Sequence, residues 1–599
     1  MLEQMAVEEI NLELAGGCAM TIFTTQARSR YGWLTDAVLL ILIFIVFYIL
    51  FRLGEGMVVP FSPEQQPVVD LAPASLPYYA GRSLLRMFLA FGASLLFSLV
   101  YGYMAAKSRL AGYVLVPLLD ILQSIPVLGF LSATIAAFIA FFPGSLFGVE
   151  CASIFAIFTG QAWNMTFSFY HSLTTLPKEL QEAAEMLHLN WWQRFRRLEL
   201  PAATMGLIWN GMMSFGGGWF FLAASEAITV MGEDIHLPGV GSYLAAAVDA
   251  GDLQAMLYAM LTMLVMILLV DQLFWRPLVV WGQKFKIESS ASEVQPTSFV
   301  YDILQSSRII RFFRQRMMAP IGRGANKGID WLVKQAAAGA AHVPAGHRSA
   351  TGRKIMSVVV VLFFAALIWE PALEAWSMIT GRGMADILQV MELGALTWGR
   401  VMAALVLGAL WTIPVGVWIG THPRIAGRMQ PLVLLAASFP ANMLFPFLIV
   451  FFVWSHVDFE YGSILLMLLG TQWYILFNVI AGAMSLPNDL LEASSMLQLS
   501  GWKKWRTVIL PGIFPQLVTG LVTACGGAWN ASIVAEIANW RDLDLSATGL
   551  GAYISQATAA GNWSDIVIGI MVMCFFVVAF NRLVWQRLYA LSVSKYHIG

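Results

Sequence analysis

LPKELQEAAEMLHLNWWQRFRRLELP (176–201) and LPNDLLEASSMLQLSGWKKWRTVILP (486–511) are two versions of one segment. Each opens on Leu-Pro, carries a Glu-Ala pair and closes on Leu-Pro. The glutamate-to-proline separation is the same in both, 19 residues (201 − 182 and 511 − 492). Proline is tolerated in the first turn of a helix. Helix formers follow it, and the second Leu-Pro is expected to start the next membrane helix. Each segment therefore reads as a short helix along the cytoplasmic face of a membrane. Trp191, Trp192, Arg194 and Arg196, and in the other version Trp502, Lys503, Trp505 and Arg506, flank it at the headgroups. Ala183-Ala184 and Ala493-Ser494 present almost no side chain, so a groove of another protein could approach the backbone there.

The surrounding sequence is that of a polytopic, all-α membrane protein. Of 599 residues 58% are hydrophobic and only 12% charged, too little polar surface for a soluble chain of this length. The formal net charge of −1 indicates no nucleic-acid partner. Cys18, Cys151, Cys525 and Cys574 have neither disulfide nor metal spacing and read as apolar filler. The N-terminal stretch MLEQMAVEEINLELAGG is acidic and lacks the features of a signal peptide, so it is expected to stay on the protein, inside the cell.

A helix needs about 20 apolar residues to cross the bilayer core. That rule places spans near 34–52, 82–105, 113–141, 150–172, 204–231 and 254–280. A second set falls near 354–372, 395–420, 430–453, 462–483, 514–538 and 564–588. The expected count is twelve, with helix breaks possible around Pro126 and Pro440. With the N-terminus inside, the outer loops 53–81, 142–149, 232–253 and 455–461 contain no Lys or Arg, and the remaining two carry one each, Arg382 and Arg541. The inner side holds Lys107, Arg109, the stretch Lys178 to Arg197, Arg424, Arg428, Lys503, Lys504 and Arg506. This asymmetry puts both termini in the cytoplasm. Arg86 and Arg400 sit near the outer starts of their helices and should face protein or water.

The chain divides into an N-terminal segment (1–33), a first unit (34–282), a basic linker (283–353) and a second unit (354–599). In the linker, ILQSSRIIRFFRQRMM (303–318) sets Ile309, Ile310, Phe312 and Phe313 among arginines. It suits a helix on the anionic cytoplasmic leaflet or, equally, a solvated basic connection.

The two units are copies. Ser83-Leu-Leu-Arg86 returns as Thr397-Trp-Gly-Arg400. Gly102, Pro117, Ser124 and Pro126 return as Gly416, Pro431, Ser438 and Pro440, 314 positions on (440 − 126). Further along the shift is 310 (536 − 226), so four residues are lost in or beside an outer loop. There Gly160, Trp163 and Phe167 match Gly470, Trp473 and Phe477; Gly217, Trp219 and Glu226 match Gly527, Trp529 and Glu536; and Gly239, Gly241 and Tyr243 match Gly549, Gly551 and Tyr553. An even number of spans per copy leaves the copies the same way up, related by an axis along the membrane normal.

The paired loops resemble the EAA motif of binding-protein-dependent ABC importers. Glu182-Ala183-Ala184 with Leu198, Leu200 and Pro201, and Glu492-Ala493-Ser494 with Val508, Leu510 and Pro511, keep its spacing; His188 and Gln498 stand where the motif has glycine. The likeness extends over roughly 80–280 and 395–590 and is to the nitrate, sulfonate, taurine and bicarbonate branch. It implies the type I importer permease fold, with two parallel six-helix repeats and one copy of the chain per complex. It also implies coupling helices that dock into two cytoplasmic ATPase subunits or domains, and an external solute-binding protein. In that reading Glu182, Ala183, Ala184, His188, Pro201, Glu492, Ala493, Ser494, Gln498 and Pro511 do the coupling. ATP and magnesium belong to the partner, because no phosphate-binding Gly-x-x-x-x-Gly-Lys-Ser/Thr loop exists here; GRGANKG (322–328) lacks the required ending. No catalytic or metal-ligating set is expected, and no cofactor on this chain.

For the transport pathway the candidates are Gly217, Trp219, Glu226, Gly527, Trp529, Asn530 and Glu536. Glu226 follows Met205 by 21 residues, roughly 30 Å along the fifth span at about 1.5 Å per residue. Two readings stand: these acids line the pathway, or they tie helices together, for instance with Arg86 or Arg400. Phe220 against Asn530, Asp271 against Asn581 and Asp120 against Leu434 are differences between copies that a substrate site or simple drift would produce. The solute is expected to be a small anion or sulfonate. An ion-coupled secondary carrier with parallel repeats is the alternative; a membrane enzyme has no supporting motif.

Overall fold

The computed structural model describes residues 32–60, 69–124, 126–230, 233–285, 297–313, 383–540 and 543–595, with isolated positions between 315 and 381. In the first copy, helix α1 (Gly32–Glu55) precedes α2 (Leu76–Lys107), α3 (Arg109–Ser124), α4 (Leu131–Phe141) and α5 (Leu146–Thr174). The short α6 (Lys178–Met186) and α7 (Trp191–Arg194) lead through a π-turn (Phe195–Glu199) into α8 (Leu200–Glu226). Hairpin β1 (Ala227–Val230) and β2 (Glu233–His236) follows, then α9 (Val240–Asp249) and α10 (Leu253–Val270). A second π-turn (Asp271–Trp275) joins α10 to α11 (Arg276–Gly282).

The linker contributes α12 (Phe299–Ser306) and α13 (Arg308–Phe313). The second copy begins, within the described residues, at α14 (Met384–Gly420), followed by α15 (Pro423–Ser438), α16 (Phe445–Ser455) and α17 (Phe459–Met484). Next come α18 (Asn488–Met496), α19 (Gly501–Lys504), a π-turn (Trp505–Ile509) and α20 (Leu510–Ala535). The copy closes with β3 (Ile537–Trp540), β4 (Leu543–Ser546), α21 (Leu550–Ala559), α22 (Trp563–Phe580), a π-turn (Asn581–Trp585) and α23 (Gln586–Lys595). Apart from isolated positions, the span expected at 354–372 lies outside the described residues, as do Arg382 and Arg541.

Seven of the described helices are long and apolar enough to cross a membrane. The chain is an all-helical polytopic membrane protein with an internal duplication, interrupted by two small antiparallel hairpins. The stretches at 113–141 and 430–453 are each two helices. Helix α3 stops at Ser124, Pro126 opens a single tight turn (Val127–Phe130), and α4 resumes at Leu131; Pro440 does the same before Ala441–Met443. Proline cannot donate to the carbonyl one turn back and drives the residue before it out of the helical region. Of the four residues missing from the second copy, one is lost from the connection between α16 and α17 and three from the first turn of α17, since α4 and α16 still match at 314 while α5 and α17 end 310 apart.

Two expectations need correction. The second Leu-Pro does not start a helix: the helical path begins at Trp191 and Gly501 and is continuous into α8 and α20. Leu200 N–H donates to Phe195 O, five residues back, and Leu510 N–H to Trp505 O. Such a widened turn accommodates a proline inside a continuing helix. The fifth spans also end early, at Glu226 and Ala535 instead of 231 and 538, because Ala227–Val230 and Ile537–Trp540 are strands. Hydropathy does not separate an apolar strand from the apolar helix it follows.

Within the first copy α5 packs between α2 and α8, and in the second α17 packs between α14 and α20. The copies meet where α15 lies against α8 and α22 against α3, and a single hydrophobic core runs through both. Ahead of α2, Ser75 Oγ (2.6 Å) and Ala72 N–H (2.9 Å) donate to Asp70 and hold its carboxyl below the usual range.

Candidate functional site

The two short helices α6 and α18 are built alike. Pro177 and Pro487 stand just before them in extended conformation and set their direction. Ala184 and Ser494 are buried against the bundle, while Glu182, Ala183, Glu492 and Ala493 face out. Each helix closes on a residue in the left-handed region, His188 at φ 49° and Gln498 at φ 52°. Leu189 N–H returns to Ala184 O (3.1 Å) and Leu499 N–H to Ser494 O (2.9 Å). This is the helix stop that glycine provides most cheaply, so the turn survives the loss of the motif's glycine in both copies. Just before it, Met186 and Leu187 are 82% and 72% exposed, and Met496 and Leu497 have the same values. Sequence reasoning missed this pair; its signal was Met-Leu at the same place in both loops.

At the opposite end, three motifs distant in sequence converge. Glu226 at the end of α8 accepts from Ser83 Oγ (2.6 Å), Arg86 Nη1 (2.7 Å) and Gly241 N–H (2.7 Å) at the start of α9. Gly239 has no room for a side chain because the Glu226 carboxylate occupies it. In the second copy Glu536 accepts from Thr397 Oγ1 (2.8 Å), Arg400 Nη1 (3.0 Å) and Gly551 N–H (2.8 Å), and Gly549 meets the Glu536 carboxylate likewise. Helix α2 or α14, the end of α8 or α20 and the helix after the hairpin are thus tied through one carboxylate, which is fully buried in each copy. Each arginine also reaches a glutamate at the start of the fourth span: Arg86 Nε holds Glu150 Oε2 at 2.5 Å, and Arg400 pairs with Glu460. Glu150 and Glu460 obey the 310 shift, a signal that was available.

The expected pathway residues separate into two groups. Trp219 and Trp529 are 1% exposed and turn into their own copies, Trp219 onto Phe215 and Trp529 toward Phe576. Glu226 and Glu536 do the same. Gly217, Gly527 and Asn530 face the junction. A Cβ on Gly217 would stand 3.2 Å from Tyr474 Oη, and one on Gly527 3.4 Å from the same ring. Asn530 Oδ1 accepts from Val127 N–H of the other copy (2.8 Å). Tyr474 was not foreseen, because its counterpart is Asn164 and the repeat carries no signal there.

Among the described residues no group of three or more His, Cys, Asp or Glu could hold a metal ion. A duplicated, polytopic helical bundle with a matched pair of exposed short helices at one end defines a membrane-embedded transport subunit. The chain belongs to the family described as binding-protein-dependent transport system inner membrane component, which matches residues 98–274 and 412–590, once in each copy. It is therefore a multi-pass inner membrane permease without an ATPase domain, from a family with no known cofactor site, and the ion-coupled alternative is set aside.

Three relatives illustrate the branch. The taurine transport system permease protein of Escherichia coli is 29% identical over 201 residues, 33% of this chain and 71% of that protein. A nitrate import permease protein of Leptolyngbya laminosa is 24% identical over 214 residues, 35% of this chain and 73% of the relative. The bicarbonate transport system permease protein of a Synechocystis strain is 26% identical over 172 residues, covering 29% and 58%. Binding-protein-dependent transport implies an ATPase and a solute-binding protein as partners.

Proposed function

We propose that this chain supplies the whole translocation pathway of an ATP-driven importer for a small anion or sulfonate of the nitrate, bicarbonate, taurine or alkyl sulfonate kind. Its two copies act as a pseudo-dimer of twelve parallel-repeat spans with both termini in the cytoplasm. Helices α6 and α18 each dock into one ATPase subunit or domain, and an external binding protein delivers solute to the other side. The observation that carries this reading is the equal exposure of Met186-Leu187 and Met496-Leu497 beside Glu182 and Glu492. Large apolar side chains left bare on a helix end mark a protein contact.

A four-residue turn (187–190 and 497–500) joins each coupling helix to the continuous helical segment leading into α8 or α20, so a displacement of a docked helix is passed to the pair lining the junction. Gly217, Gly527, Asn530 and Tyr474 form the closed waist of the pathway. Glu226 and Glu536 serve as outer ties that keep α8 and α20 in register with α2 and α14; all their carboxylate oxygens are already engaged. ATP binding draws the ATPases together, the waist opens outward, and hydrolysis resets it.

The test is an ATPase assay on the assembled importer in vesicles. With Glu182→Lys and Glu492→Lys together, solute-stimulated hydrolysis falls to the unstimulated rate. Full stimulation in that variant, or uptake driven by an ion gradient without ATP, contradicts the assignment.

A further inference from the structure

The linker enters no step of the transport cycle, yet its first part is tightly placed. Helices α12 and α13 are held between the end of the first copy and the start of α1. Ser307 Oγ (2.8 Å) and Arg308 N–H (3.0 Å) both donate to Asp36 Oδ1, and Asp36, Ser307 and Ser298 are buried. Helix α12 packs on α11 and α13 on α1. Helix α1 itself is bare along most of its length, with Phe44, Phe47 and Phe51 each about two-thirds exposed. At its far end Leu53 is buried against α2, and at its near end the linker holds it.

What α12 and α13 turn outward has a definite chemistry. Phe299 is 78% exposed, Phe312 63% and Phe313 48%, with Arg308, Arg311 and Arg316 exposed beside them. Residues 297–316 contain four arginines and one carboxylate, Asp302. Just past the end of α11, the Lys284 ammonium lies 4.5 Å from the centre of the half-exposed Trp281 ring. Bare aromatics between guanidinium groups, fixed level with the ends of two membrane helices, match a bilayer headgroup layer: rings enter the acyl boundary while arginines meet phosphates.

We propose that residues 297–316 bind the anionic phospholipid of the cytoplasmic leaflet and so clamp the inner end of α1 to the first copy. The proposal rests on the orientation given above, with both termini inside.

The experiment uses the full chain with its four native cysteines replaced, Phe312→Cys carrying a nitroxide label, reconstituted in vesicles of phosphatidylcholine alone or of equimolar phosphatidylcholine and phosphatidylglycerol. Depth is read from collision with oxygen against a water-soluble nickel chelate. Sidedness is read from reduction by ascorbate added to one face. The label is expected on the cytoplasmic face, below the phosphate level in the phosphatidylglycerol vesicles and nearer water without that lipid. Arg308→Gln with Arg311→Gln weakens the preference for the phosphatidylglycerol vesicles by roughly 25-fold, each arginine at an anionic surface contributing roughly fivefold. A cytoplasmic label equally wet in both vesicles overturns lipid binding alone. Protection that arises only on adding ATPase subunits assigns the surface to that partner and also overturns it. A label on the external face overturns the orientation and the proposal with it.

Discussion

At the end that holds Glu226, the first copy settles its charges among themselves: Arg82 and Arg86 face Glu150 and Glu226, and all four are buried. The second copy keeps Arg400, Glu460 and Glu536 but has Leu396 where the first has Arg82, and Glu460 is 37% exposed. The missing cation is replaced by a backbone donor. Thr548 N–H gives Glu460 Oε1 a bond of 2.8 Å, and the matching residue in the first copy is Pro238, which has none to give.

The opposite end repeats the contrast. In the first copy Glu199, fully buried, takes Lys107 and Arg194 Nε (3.0 Å), and Arg194 reaches Gln181 of the coupling helix (3.2 Å). Thr421, Ile509, Lys504 and Leu491 stand at those places in the second copy, where Ile509 and Leu491 join the hydrophobic core. The first copy thus adds ion pairs at both ends where the second, beside its Arg400–Glu536 pair, uses packing and a backbone bond. The same helix geometry tolerates both, provided every buried charge has a partner.

The largest expected effect follows from the first contrast. Glu150→Ala leaves two buried arginines short of a partner and should cost about 3–5 kcal/mol, whereas Glu460→Ala, half in solvent with Arg400 still on Glu536, should cost about 1 kcal/mol. Denaturant unfolding in detergent measures both; equal losses would erase the distinction. Gly239→Ala and Gly549→Ala should behave alike, each losing roughly 1–3 kcal/mol because the new methyl displaces a tied carboxylate; unequal losses would mean the two ties differ after all.

A double-mutant cycle sharpens the exchange of Arg82 and Pro238 for Leu396 and Thr548. Arg82→Leu should lose stability, and adding Pro238→Thr should return about 1 kcal/mol through the restored backbone donor; strict additivity would show that the donor does not reach Glu150. Smallest, His188→Gly and Gln498→Gly should each stabilise by about 1 kcal/mol, since glycine takes the left-handed turn without strain. A loss at either position would mean that the side chain contributes more than the turn requires.

Much of this was legible in the sequence. Two loops with one spacing located α6 and α18, and a register held over Gly, Pro and Trp positions disclosed the duplication. Pro126 and Pro440 marked true helix breaks. The hairpins were hidden because Ala227–Val230 continues the apolar run of α8 without a break in hydropathy. The π-turns were hidden because no residue type demands them. Pairing of Glu226 and Glu536 with Arg86 and Arg400 was one of the two readings the sequence offered, but the pair of Arg82 with Glu150 needed three-dimensional closure: the two are 68 residues apart, and Arg82 has no charged counterpart in the second copy. Tyr474 was invisible for the same reason, since a repeat discloses what both copies keep and conceals what one copy alone carries.

The coupling assignment is tested most directly by cysteine accessibility at the two bare methionines. Met186→Cys and Met496→Cys, placed singly in a chain without its native cysteines, are treated with a membrane-impermeant maleimide applied to one face of sealed vesicles. Labelling of both from the cytoplasmic face, and strong protection of both when the ATPase subunits are bound, is the predicted result. Labelling from the external face, or unchanged reactivity in the assembled importer, would contradict it.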